Sequence, residues 1–398
     1  MIMRKLSKII MLGGGVSQIE PIKWIKEAGF EVILIDKNPE AKARPFCSSF
    51  IHLDSTNLNE LMQLAEKKLK QEPILAVHAT DELFLTAAGH LNDILKTPGA
   101  NSDVVERSMD KARTKRIFED SGVPCPKGSE VTIWEEHDID YPVVAKIKGG
   151  WAGEGIRFLS DAKDLQSYYQ YCNQNAIKNV LIERYVAGDE LLVLGYMLNG
   201  NYYRVGESLI LINKNVAQLE RMIFPSGKEK RLIDAAHRFV ELGARALGCE
   251  TTPISASVIV TKQDVYVLEI TPIFPANFCR VQSDVTGKPA IKDYYRKLAR
   301  LGPASHSRKK PNCHNVGGFA QVFARNGKTL KKVNGVDFLK KHANVKAIDM
   351  IRDEEKKISG RSCLEFVPAV TIFAAANSYD ELDAALKHCV ENISLQLT

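Results

Sequence analysis

Four signals between residues 109 and 190 do most to narrow what this chain can fold into. Met109-Asp110-Lys111 opens a helix. Tyr141-Pro-Val-Val-Ala-Lys146 has the pattern of a buried strand ending in lysine, and Gly149-Gly-Trp-Ala-Gly-Glu-Gly155 follows it. Leu181-Ile-Glu-Arg-Tyr-Val-Ala-Gly-Asp-Glu190 then carries an apolar run into acidic residues. Taken singly, each has a plain structural reading. Lys146 reads as a strand end whose stem lies along apolar surface, and the glycines as a hairpin turn. Glu183 reads as a rim charge, and Glu190 as a solubilising edge-strand residue. In this order they describe a phosphate site. Two lysines supply charge, loop amides wrap phosphate oxygens, a strand-to-strand crossover offers main chain to a purine edge, and an acid is left for ribose hydroxyls.

The flanking chain sets this run between two other textures. Strand and helix alternate over the first hundred residues: a strand at Ile9–Leu12, a helix at Gln18–Ala28 stopped by Gly29, a strand at Glu31–Ile35 closed by Asp36, a helix from Leu58 to Lys70, and a strand at Ile74–His78. Such an order implies an open parallel sheet with its ligand crevice at the strand C-terminal ends. Gly13-Gly-Gly-Val-Ser-Gln18, with Asp36 further on, also admits a dinucleotide reading. Against it, Gln18 stands at the third glycine position, and a glycine turn after a first parallel strand has a purely geometric use.

Beyond that, a charged helix is expected over Ser108–Asp120, ended by Gly122-Val-Pro-Cys-Pro126, and another around Ala162–Gln174. Strands are expected at Glu190–Met197, Tyr202–Leu211, Ala256–Val260 and Val265–Ile270, with a long amphipathic helix over Lys228–Leu247 stopped by Gly248. Gly302–Pro311 reads as a linker. Strands at Gly317–Arg325 and Val367–Ala375 and a helix at Tyr379–Glu391 close the chain.

The 398 residues suffice for two or three domains without metal or disulfide staples. No window approaches the roughly 18–20 apolar residues of a membrane helix, so no membrane role is expected. The 8 cysteines form no CxxC pair, which points to a cytoplasmic chain of reduced thiols. A net charge of +6 is too mild for a polyanionic partner. The basic run His306–Lys310 has no interleaved aromatic residues, so no nucleic-acid partner is expected. His78 reads as a pocket or core residue, and Cys279 as a buried inert thiol.

With these motifs in place, the chain resembles the ATP-grasp enzymes of the carboxylate–amine ligase type, from the first glycine turn to Leu268-Glu269-Ile270. The stretch from Gly317 onward resembles the small mixed domain found in several such ligases. The resemblance implies an α/β and α+β architecture: a Rossmann-like domain at 1–107, a small grasp lobe at 108–186, a large lobe at 187–304, and a linker with a C-terminal α+β domain at 305–398. By the same resemblance, Lys111 and Lys146 contact ATP phosphates. The loop with Gly149, Gly150, Gly153 and Gly155 closes over them. Glu183 and the main chain of Tyr185 and Val186 meet adenine, and Glu190 meets ribose. The implied cofactors are ATP and Mg2+. The implied partners are a small carboxylate, such as an amino acid, and an amine, which are joined through an acylphosphate with release of ADP and phosphate. A homodimer follows from family habit.

The chain departs from the family at the metal. Glu269 is in place, but Thr271 stands where the family has asparagine and Ile273 where it has arginine. Counting back along the hairpin puts Ser257 at the remaining ligand position. Hydroxyls are weaker magnesium ligands than carboxylates or amides. Two readings stay open. In one, magnesium is held by ATP phosphates, water and Glu269, with Arg280 or Arg221 stabilising the transferring group; Glu207 and Asn277 are further oxygen donors nearby. In the other, the protein binds nucleotide without catalysis and has a regulatory role. Arg280 reads equally well as a surface charge.

Overall fold

The computed structural model describes residues 7–134, 138–147, 155–213, 218–301, 314–358 and 365–398. The first layer holds β1 (Lys8–Leu12), α1 (Ile19–Glu27), β2 (Glu31–Asp36), β3 (Ser49–His52), α2 (Leu58–Lys67), β4 (Ile74–Ala79) and α3 (Leu85–Leu95). Its strands are parallel in the order β3-β2-β1-β4. The apolar run Ile9–Leu12 is buried on both faces, as a covered parallel strand must be. Ile9 and Met11 pack with Trp24 and Ile25 of α1, whereas Ile10 and Leu12 pack with Leu61 and Ala65 of α2. The half-exposed β3 and the helix α3 carry no strong sequence periodicity and were not anticipated.

The helix expected over Ser108–Asp120 is preceded by one that was not expected: α4 (Ser102–Met109) comes before α5 (Lys111–Asp120). Asp110 breaks them, because its side chain leaves the helical pattern to accept the Arg113 N–H at 3.0 Å. The small lobe continues with β5 (Gly128–Thr132), β6 (Val143–Ile147), β7 (Arg157–Leu159), α6 (Ala162–Gln174) and β8 (Asn179–Arg184), paired in the order β5-β8-β6-β7. Val143, Ala145, Ile147, Val180 and Ile182 pack against Tyr168, Tyr169 and Cys172 of α6. With a period of two, Lys146 and Glu183 therefore face away from α6.

The largest sheet starts with β9 (Asp189–Leu198), β10 (Asn201–Asn213) and β11 (Gln218–Phe224). It is backed by α7 (Lys230–Ala246) and joined by β12 (Thr252–Val260) and β13 (Val265–Thr271), before α8 (Ala276–Thr286) and α9 (Ala290–Leu298). In α7, Leu232, Ala236, Val240 and Ala244 recur every fourth residue and are all buried, which is the stripe that seats the helix on the sheet.

The C-terminal stretch comprises β14 (Val316–Arg325), β15 (Thr329–Asn334), α10 (Val336–Leu339), β16 (Val345–Met350), β17 (Lys356–Lys357), β18 (Phe366–Ala376), α11 (Tyr379–Glu391) and β19 (Ser394–Leu397). Three of its strands extend the large sheet, giving the order β13-β12-β9-β10-β11-β14-β18-β16, and β17-β15-β19 form a separate small sheet. The mixed α/β and α+β character is as expected, and one sheet runs across the 304/305 position. No helix among the described residues is long and apolar enough to cross a membrane.

Candidate active site

Two sheet faces meet at the site. On the small lobe, Lys146 of β6 and Glu183 of β8 share the face turned from α6. On the large sheet, Ser257 lies opposite Glu269 and Ser255 opposite Thr271. Ser257 also lies opposite Leu192, two residues beyond Glu190, so Glu190, Ser257, Glu269 and Thr271 share one face.

The charges interlock. Glu183, 3% exposed, receives Lys115 Nζ at 2.7 Å on one oxygen and Lys146 Nζ on the other. Burial alone would lift the Glu183 carboxyl, but Lys146 and Lys115 outweigh it and hold the group below the usual carboxylate range. For Lys146, burial pulls the ammonium down, and the charge of Glu183 reverses the shift so that it is held above its ordinary value. Lys111 Nζ lies 3.3 Å from Glu269 and, against burial, keeps that carboxyl low. Glu190 is pushed up by burial and by the charge of Glu269, and is eased by a hydrogen bond with Ser257. The cleft thus combines two lysines with a pair of mutually repelling carboxylates, a field suited to a cation and a polyanion together.

The structure brings together Lys111, Lys146, Glu183, Glu190, Ser257 and Glu269, with Thr271 on their face. Tyr185 is 41% exposed and packs edge-on to Phe158 at 4.9 Å. Its N–H is taken by the Pro142 carbonyl at 3.0 Å. Gly149, Gly150 and Gly153 lie outside the described residues. Gly155 has φ +66, and a Cβ there would meet the Ile147 side chain at 2.6 Å. Only glycine fits where the loop rejoins the sheet.

Arg221 is not part of this assembly. Its strand neighbour Met222 packs with Leu192 and Phe278 on the site face, so alternation sends Arg221 to the opposite face, where Asp383 of α11 holds it. Glu207 lies 3.4 Å from Ser226 and 3.8 Å from His237, behind the sheet. Arg280 is on the site side, over the Phe373 ring at 4.2 Å and 3.0 Å from Asp349. Asn277 lies on α8, half-buried.

Asp36 also departs from its dinucleotide reading. Its carboxylate accepts the Gly14 and Asn38 N–H groups, each at 2.6 Å, and so pins the glycine turn. Gln18, 6% exposed, donates to Thr80 at 2.7 Å inside the crevice. His78 is a core residue, bonded to Tyr295 at 2.7 Å, and burial lowers it to about 3. Cys279 is fully buried, which raises its thiol. The basic run His306–Lys310 lies outside the described residues.

Lys115 is the participant that the sequence reading missed. It stands one turn after Lys111 on α5, and that spacing was its only signal.

Residues 110–191 match the family model described as the ATP binding domain of the carbamoyl-phosphate synthase L chain. That span holds Lys111, Lys115, Lys146, Glu183 and Glu190. The carbamoyl phosphate synthase large chain of Clostridium acetobutylicum is 24% identical over 313 residues, which is 72% of this chain; the chain spans 28% of that relative's length. Among solved structures, the L-amino acid ligase from Bacillus licheniformis superposes with a TM-score of 0.81 at 16% identity, covering 99% of each chain. Phosphoribosylglycinamide synthetase from Anaerococcus prevotii gives 0.74 at 15% identity, over 98% of this chain and 100% of that one. N5-carboxyaminoimidazole ribonucleotide synthetase from Thermotoga maritima gives 0.74 at 16% identity, over 98% and 99%.

Proposed function

We propose that this chain, which has the ATP-grasp fold over its whole length, is an ATP-dependent ligase that joins a small carboxylate, such as an amino acid, to an amine. The observation that carries the reading is the two-lobed charge arrangement. Lys146 and Lys111, from the small lobe, each reach a carboxylate, and the two carboxylates, the buried Glu183 and the half-buried Glu269, come from different sheets. Lys111, Lys146 and the glycine loop neutralise the triphosphate, Glu183 and the chain at Tyr185–Val186 take the base, and Glu190 takes the ribose hydroxyls.

The donor set fits magnesium. Magnesium is held by one or two carboxylates plus substrate phosphates rather than by an all-protein cage. Among the described residues there is no cluster of three acidic, histidine or cysteine ligands, yet Glu269, Ser257 and Thr271 offer hard oxygens on one face. The ion supplies charge neutralisation at the phosphates. The structural neighbours are ligases and synthetases by name, so the non-catalytic alternative is not favoured.

The chemistry that goes with this reading is the acylphosphate route. A substrate carboxylate oxygen attacks the γ-phosphorus, and the bond to the β,γ-bridging oxygen breaks to leave ADP. The amine then attacks the acylphosphate carbonyl and expels phosphate, giving the amide. Lys111 and Lys146 orient the phosphates and stabilise charge on the transferring group. Arg280 of α8, held by Asp349 over the site face, is the arginine this reading assigns to the transferring group, whereas Arg221 is not.

The test uses the protein with magnesium, ATP and pools of amino acids, small carboxylic acids and amines. Substrate-dependent ADP and phosphate are expected. AMP and pyrophosphate would exclude the acylphosphate route, and the absence of turnover in every pool would count against a ligase. A homodimer and a cytoplasmic location belong to the same proposal; sedimentation of the purified chain tests the first, and localisation of a tagged chain in its native cell tests the second.

A further inference from the structure

Two demands fall on Lys146. Its Nζ is bound to one oxygen of Glu183, while the phosphate role requires it to turn toward the triphosphate. Glu183 is 3% exposed, and a buried carboxylate stripped of its counter-charge is strongly unfavourable. On that account alone Lys146 would stay where it is. The other oxygen of Glu183 resolves the conflict, because it lies 2.7 Å from Lys115 Nζ, on a side chain itself only 5% exposed. Lys115 also donates to the Pro126 carbonyl, beyond the end of its own helix. It belongs to α5 and Lys146 to β6. A lysine tied to main chain on a different element does not follow Lys146 when that side chain swings.

We propose that Lys115 is a positioning residue for nucleotide binding, keeping Glu183 paired and oriented when Lys146 leaves it for the phosphates. The inference rests on the reading of Lys146 as a phosphate ligand. Charge balances in both states. Before binding, one carboxylate is shared by two ammonium groups, leaving one positive charge in excess. After binding, Lys115 and Glu183 form a neutral pair, and the excess charge of Lys146 meets the triphosphate. Neither state leaves the buried carboxylate bare, so the lysine can be handed over without the penalty that would otherwise oppose it.

The measurement is calorimetric titration with ATP in the presence of magnesium. Lys115→Met is expected to raise Kd about tenfold or more, and Lys115→Arg, which keeps the charge, to recover most of that loss. In a Glu183→Gln background, Lys115→Met should add no further loss, because a neutral amide needs no counter-charge. Wild-type affinity in Lys115→Met overturns the proposal. So does a loss carried undiminished into the Glu183→Gln background, which marks a merely structural role. Should Lys115→Met alone fail to fold, Glu183→Gln with and without it decides the question: equal affinities support the proposal and a further loss refutes it. Lys146→Ala separates the two layers of the argument. Unchanged affinity there refutes the phosphate site itself, whereas weakened affinity there with wild-type binding in Lys115→Met refutes only the positioning role.

Discussion

At the scale of single residues, the buried charges bear on stability and on the proposed binding of nucleotide. On the proposed reading of Lys146 as a phosphate ligand, Lys146→Ala removes a charge-assisted contact worth about 2 kcal/mol, so ATP affinity should fall roughly thirtyfold; equilibrium titration reads this directly. Glu183 makes a second, independent prediction. Its carboxyl is held below the ordinary value of 4.5. A group depressed in the folded state contributes stability above its unfolded pKa and loses it as pH falls through its folded one. Glu183→Gln should therefore be less stable than wild type at neutral pH, with the gap narrowing in denaturant titrations below about pH 4.5. Glu190 has the opposite sign. Its carboxyl is raised in the fold, so protonation favours the native state. The acid–lysine pattern between residues 111 and 190 made most of this legible. Lys115 stayed hidden, because a lysine in a charged helix looks solvated until the fold buries it.

At the scale of elements, short-range chemistry sets the boundaries, and alternation sets what each face carries. Asp161 caps α6 by accepting the Lys163 N–H at 2.8 Å and the Asp164 N–H at 3.0 Å. Asp161→Ala should cost about 1 kcal/mol, read as a lowered Tm of the lobe that bears Lys146 and Glu183. The helix expected at Ala162–Gln174 and the closing helix at Tyr379–Glu391 appear with those bounds, since each follows a capping residue and carries a clear apolar stripe. The helix start at Met109-Asp110-Lys111 was legible, because Asp110 caps α5 with its own side chain, whereas the separate helix α4 before it was not. Arg221 fails as a site residue for a reason of the same scale. Its register places it one residue off the active face, and a one-residue offset moves a side chain to the other side of a sheet.

At the scale of the whole molecule, the large sheet joins what the sequence divides. Strand β11 pairs with β14, with Arg221 opposite Ala320 and Phe224 opposite Gly317. One core mixes Met222 and Phe278 with Phe319 and Phe373. Phe373→Ala, at a fully buried position, should cost about 3–5 kcal/mol; calorimetry should show a large-lobe transition displaced together with the C-terminal strands. Two separate transitions would mean that the shared sheet does not couple them. By itself the sequence determined the β-α-β opening and the helices at Ala162–Gln174 and Tyr379–Glu391, because strand alternation, turn chemistry and helix caps act over a few residues; Glu269 was reached through the family resemblance. Only the tertiary structure decided that Lys115 shares Glu183 with Lys146, that Asp36 is spent on its own glycine turn, that Arg221 faces away and that residues past 304 complete the sheet. These rest on contacts between segments far apart in the chain, and local pattern carries no record of which distant partner a side chain meets.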